Sequence, residues 1–139
     1  INQPVTSKEK QTMAVTHTWS VSDQLQTRTQ DGLSEVVFSV VWNLSSEETV
    51  DGTTYTISSA NQISLNTDNL DPATYTSFAD LTEAQVVGWA KDQIDANAAT
   101  GEGVVCAEWE AGHDRNIAKQ INPPTAVETA PWVVVPVGP

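Results

Sequence analysis

Basic residues are scarce in this chain: 6 Lys and Arg stand against 18 Asp and Glu, a formal charge of −12 over 139 residues. Such a chain repels a polyphosphate backbone, so nucleic-acid binding is not expected. Cys106 is the sole cysteine, which excludes an intrachain disulfide and a cysteine-rich metal site. A single cysteine in a helical stretch reads as a small buried hydrophobe. No apolar run approaches the roughly 20 residues that span a bilayer. The opening INQPVTSKEKQT lacks the apolar segment of a secretory signal. The expectation is a soluble chain that does not contact a membrane.

Catalytic signatures are missing as well. There is no Gly-x-Ser-x-Gly, no glycine-rich phosphate loop and no His-Glu-x-x-His. His17 and His113 are the only side chains that titrate near neutrality without a perturbed pKa. His17 falls in an alternating stretch and reads as a satisfied structural histidine. His113, Asp114 and Arg115 are consecutive on a predicted helix, so their side chains diverge and read as a solvated face. Cys106 and His113 lie two turns apart, about 10.5 Å of rise, too far for a nucleophile pair on one helix. Asp68, Asn69 and Asp71 lack the spacing of a calcium loop and read as a turn whose side chains bond their own backbone. No enzyme activity, cofactor or metal is expected.

What is present is a globular pattern, with 39% hydrophobic residues and enough chain for one modest core. Residues 1–12 are polar and aperiodic and read as a flexible arm, followed by a single domain over 13–122 and an extended tail over 123–139. Val15, His17, Trp19 and Val21 alternate with small polar residues, as in a half-buried strand. Ser22 to Gly32 is polar and ends in the turn signal Asp31-Gly32. Val36, Phe38, Val40, Trp42 and Leu44 then form one face of the best candidate for a central strand. Asp51-Gly52 joins it to Thr53–Ser59 as a hairpin. Ile63 and Leu65 continue the alternation, beyond a bulge expected near Ala60 and Asn61.

After a loop over 66–79, Thr82 and Gln85 have the spacing of a capping box, with Leu81 and Val86 as a hydrophobic staple. Val86, Ala90 and Ile94, widened by Val87 and Trp89, form an apolar helical stripe. A second helix is expected over 104–121, on Val105, Trp109, Ile117 and Ile121, stopped by Asn122-Pro123-Pro124. The fold class that results is α+β: an antiparallel sheet of three to four strands with one or two helices packed on one face and extended terminal arms.

Of the five tryptophans, Trp19, Trp42, Trp89 and Trp109 sit at core positions. Trp132 lies in the tail, where Pro131, Trp132, Val133, Val134, Val135 and Val137 make a candidate partner-binding segment. Left bare, that segment is an aggregation hazard, so it is expected to dock on its own domain or on a neighbour.

The chain from Met13 to Trp132 resembles a family of small proteins of tailed phages, marine and cyanobacterial ones in particular. The resemblance is carried by MAVTHTWSV, DGLSEVVFSVVWNL, FADLTEAQVVGWAKDQI, QINPP and Pro131-Trp132. It implies a structural protein of the virion, such as a capsid decoration or cement protein, whose terminal arms bind capsid or tail subunits and which forms a homo-oligomer. It places the protein in the virion, or in the host cytoplasm during infection. Two other classes remain open: a tail, fibre or filament subunit assembling by strand exchange, and a non-virion acidic module that binds a host protein.

Overall fold

Two Asp-Gly turns organise the sheet. Gln30 pairs with Leu33, and Val50 with Thr53, so each turn has two central residues. All four adopt left-handed φ: 53° and 80° at Asp31 and Gly32, 48° and 82° at Asp51 and Gly52. That geometry matches the right-handed twist of the flanking strands, which is why Asp-Gly hairpins close so readily.

The computed structural model describes residues 14–133. It contains β1 (Thr16–Val21), β2 (Gln26–Gln30), β3 (Leu33–Val50), β4 (Thr53–Ser64), α1 (Glu83–Ala99) and α2 (Cys106–Ile121), with a short 3-10 turn at Phe78–Asp80 before α1. The fold is α+β, with an open antiparallel sheet of four strands and two helices. The long β3 is its spine. Along one edge β3 pairs first with β2 and then with β1, and along the other with β4. The arm, Met13 and residues 134–139 lie outside the described residues.

Three local features differ from the sequence reading. The polar stretch before Gly32 contains a strand, β2, whose residues are almost all exposed. It is held by backbone pairing to β3, and burial alone therefore leaves no trace of it. The bulge expected near Ala60 is absent, since β4 pairs with β3 without interruption. Bulges occur instead between β2 and β3. One lies where Gln26 pairs with Ser39 and Thr27 with Val37, leaving Phe38 unmatched. Val37 is thereby buried with Val40, Trp42 and Leu44, while Phe38 is only half-buried, with the Arg28 guanidinium 4.8 Å from its ring centre.

The core lies between the sheet and α1. The Thr82 hydroxyl accepts from the Gln85 amide at 3.3 Å, and the Gln85 side chain accepts from the Thr82 amide at 3.1 Å, completing the capping box. Val86, Ala90 and Ile94 are buried against β3, as the four-residue spacing requires. Trp89, one residue off the stripe, is not buried: it is 38% exposed. The helix α2 begins at Cys106, and Val104 and Val105 precede it, exposed. Its N-terminus has no cap from Val105; the Asp95 carboxylate of α1 accepts from the Cys106 amide at 2.8 Å instead. A chain of rings, Trp19–Trp42 at 5.5 Å and Trp42–Trp109 at 5.0 Å, joins β1, β3 and α2. Trp19 is gripped from both helices, by the Lys91 ammonium 5.5 Å from its ring and by Glu110, which accepts its indole N–H at 2.8 Å.

Gly52→Ala should lower the unfolding free energy by about 1–2 kcal/mol, because Gly52 holds a left-handed φ with open space around it. Thr82→Ala should cost about 1 kcal/mol through the lost cap. Urea denaturation checks both, and an unchanged midpoint for Gly52→Ala would contradict the turn assignment.

Candidate functional site

Polar residues interrupt the inward face of the sheet at three places: His17 on β1, Ser46 on β3 and Ser59 on β4. His17 and Ser46 are directly paired, and Ser59 lies opposite Leu44, one inward position along. Above them α2 presents His113 and Asp114. His113 is 3% exposed and Ser46 is completely buried.

The four groups form one continuous chain with the Asp114 carboxylate. His17 Nε2 is 3.0 Å from Asp114 Oδ1. His17 Nδ1 is 2.7 Å from Ser46 Oγ, and Ser46 Oγ is 2.8 Å from His113 Nδ1. His113 Nε2 is 2.7 Å from Ser59 Oγ. With both imidazoles neutral, the directions follow from the donor inventory alone. A carboxylate only accepts, so His17 carries its proton on Nε2 and its Nδ1 accepts. Ser46 therefore donates to His17, and its oxygen accepts from His113 Nδ1–H. His113 Nε2 is then an acceptor, filled by the Ser59 hydroxyl. Every buried polar atom of the chain is satisfied in one arrangement.

Carboxylate, imidazole and hydroxyl in series is the order of a hydrolase triad. Here the hydroxyl is enclosed: Ser46 has no accessible surface, and a second imidazole occupies its lone pair. A nucleophile must meet its substrate, and this one meets only protein. The arrangement fastens α2 to β1, β3 and β4.

Burial pushes the His113 pKa below the ordinary histidine value, aided by the neighbouring His17 and opposed by Asp114. Burial also pushes the Cys106 thiol up to about 12, reinforced by Asp95, whereas Lys91 opposes the shift. The thiol donates to the Lys91 carbonyl at 3.4 Å and stays protonated at neutral pH, so it is a poor nucleophile.

The sequence reading and the structure diverge most at His113. It was expected on a solvated face diverging from Asp114, and it is buried in a joint network with Asp114. Consecutive helical side chains do diverge, but here they diverge onto two partners, Ser46 and His17, that adjacent strands place side by side. The interruption of the alternating face by His17, Ser46 and Ser59 was the legible signal for this cluster. His17 is half-buried and hydrogen-bonded at both nitrogens, as a structural histidine should be. In the loop, Asp71 Oδ1 accepts from the Ala73 amide at 2.9 Å, a local backbone bond of the expected kind. Among the described residues no group of three or more His, Cys, Asp and Glu could hold a metal ion, and no helix is long and apolar enough to cross a membrane.

Of the candidate tail residues, Pro131, Trp132 and Val133 are exposed, Trp132 by 82%. They are not docked on their own domain. Val134, Val135 and Val137 lie outside the described residues.

The chain belongs to the family described as a domain of unknown function (DUF7936), which covers residues 14–132. No curated protein matches the chain. No solved structure matches it either.

Protons bind the unfolded chain before they bind buried His113, because its folded pKa lies below the unfolded one. Stability is therefore full above the unfolded value of about 6.5 and is lost as pH falls below it. Unfolding free energy should fall between pH 7.5 and 5.5, and fall less in His113→Gln, itself destabilised by about 1–3 kcal/mol through unpaired Ser46 and Ser59. Nitrogen-15 spectra of the imidazoles should give an Nδ1–H tautomer for His113 and an Nε2–H tautomer for His17. The opposite assignment would break the chain of donors.

Proposed function

We propose that the protein is a non-catalytic structural subunit of a tailed-phage virion, a capsid decoration or cement protein that binds neighbouring capsid or tail subunits through its C-terminal tail and forms homo-oligomers. The observation that carries this reading is the segment after α2. From Asn122 onward nearly every described residue is exposed, and Val127, Trp132 and Val133 lie bare on it. Burying a tryptophan removes about 150–250 Å² from water, on the order of 4 kcal/mol at the usual coefficient. A bare tryptophan on a projecting segment thus supports docking onto another chain. The acidic surface supports solubility at high copy number. The enclosure of Ser46 and the protonated state of Cys106 support a role without catalysis. The virion setting rests on the sequence resemblance to phage proteins.

A second reading is favoured by one observation. Among the described residues β4 pairs with β3 and with no second strand along Thr53–Ser64, although the Gln120 side chain of α2 donates to the Thr56 carbonyl at 2.9 Å. A tail strand from a neighbour could add there, building a tail, fibre or filament by strand exchange.

Deleting residues 131–139 should abolish assembly while far-UV circular dichroism and the unfolding midpoint stay those of the full chain. Quantitative mass spectrometry of purified particles should find hundreds of copies for a decoration protein, and tens or fewer for a tail component. Presence in infected cells with absence from particles would overturn the virion reading in favour of an acidic module that binds a host protein.

A further inference from the structure

Between α1, the start of β3 and the loop after β4 lies a groove of about 550 Å³ that neither the histidine network nor the tail uses. Its apolar surface includes Trp89, Tyr75 and Leu70. Its charged lining consists of Glu35, Asp71 and Asp92, all exposed, and no Lys or Arg lines it. The carboxylates of Glu35 and Asp92 enter neither of the ion pairs formed among the described residues, which are His17–Asp114 and Arg115–Glu108.

The walls are held before any ligand arrives. Buried Thr67 receives the Arg28 guanidinium on its hydroxyl at 2.8 Å and the Gln30 amide on its carbonyl at 2.7 Å. Gln93 of α1 accepts from the Asn66 amide at 2.8 Å, tying loop to helix. The Tyr75 hydroxyl donates to the carbonyls of Ser34 and Glu35, at 3.0 and 3.2 Å. Those two residues form a bulge opposite Thr29, and Glu35 holds a left-handed φ of 55°. A non-glycine residue there costs on the order of 1–2 kcal/mol. The cost is borne at the groove's rim, where the bulge sets the Glu35 position.

We propose that this groove receives a basic peptide segment of a partner protein, with an Arg or Lys side chain against Trp89 and its cation among the three carboxylates. Charge complementarity selects this occupant. A cation gains from the aromatic face and from carboxylates that have no internal counter-ion, whereas an anion or a nucleic acid meets only repulsion. An open groove of this size fits an extended segment with one anchoring side chain and flanking apolar residues. The site is independent of the tail.

The test is isothermal titration of the full chain with the capped peptide Leu-Arg-Leu-Arg-Leu-Arg, with amide shifts mapped by NMR. The expected result is binding whose shifts concentrate in residues 65–76 and 89–96 and which weakens as salt rises. Trp89→Ala and, at an exposed position that does not threaten folding, Asp92→Asn should each weaken it at least tenfold. The remote Glu102→Gln and deletion of 131–139 should change it less than twofold. Absence of binding, equal weakening by Glu102→Gln, or argininamide binding as tightly as the peptide would each overturn the proposal. Self-association of the free protein that Trp89→Ala abolishes would also overturn it, by making a second copy the occupant.

Discussion

Everything in this fold hangs on β3 being hydrogen-bonded along both edges. Its 18 residues serve β2 and β1 in succession on one side and β4 on the other. Two left-handed Asp-Gly turns make the β2–β3 and β3–β4 pairings local in sequence, with short closure loops, whereas β1 joins β3 past the intervening β2. Once β3 is laid down, its inward residues, apolar from Val40 to Leu44 and polar at Ser46, define the surface on which the helices pack.

The helices are fastened by different physics. Attachment of α1 is by burial of Val86, Ala90 and Ile94, a non-directional force that tolerates small shifts. For α2, Cys106 and Ile117 are buried, but so is an imidazole that must find partners for both nitrogens. Hydrogen bonds are directional, so the Ser46–His113–Ser59 bridge fixes where α2 sits in a way that apolar contact alone would not. The Asp95 cap on the Cys106 amide and the double grip on Trp19 add further directional ties.

This division bears on function. The titratable and nucleophilic groups with the most suggestive chemistry, His113, Ser46 and Cys106, are consumed by the architecture. Its unfilled features lie at the periphery: a bare tryptophan beyond α2, the β4 edge that no second strand covers among the described residues, and an acid-lined groove beside Trp89. These peripheral features are what the proposed contacts with other chains rest on.

Sequence by itself determined the elements whose causes are local. Asp31-Gly32 and Asp51-Gly52 specify their turns through φ, Thr82 and Gln85 specify the start of α1 through their own hydrogen bonds, and periodicity specifies which side of α1 faces inward. From these the α+β class follows. Tertiary structure decided what depends on a partner far along the chain. The polar strand β2 exists because β3 pairs with it, Val37 turns inward because a bulge intervenes, and Trp89, one residue off the buried stripe of α1, stays open on the groove. His113 is the clearest case. Its helix position alone makes it as fit for solvent as for burial, and only Ser46, 67 residues away, and Ser59, 54 residues away, give a buried imidazole the bonds it needs. Local signals cannot carry such information, because the free energy of burying a polar group is settled by neighbours the sequence does not place beside it.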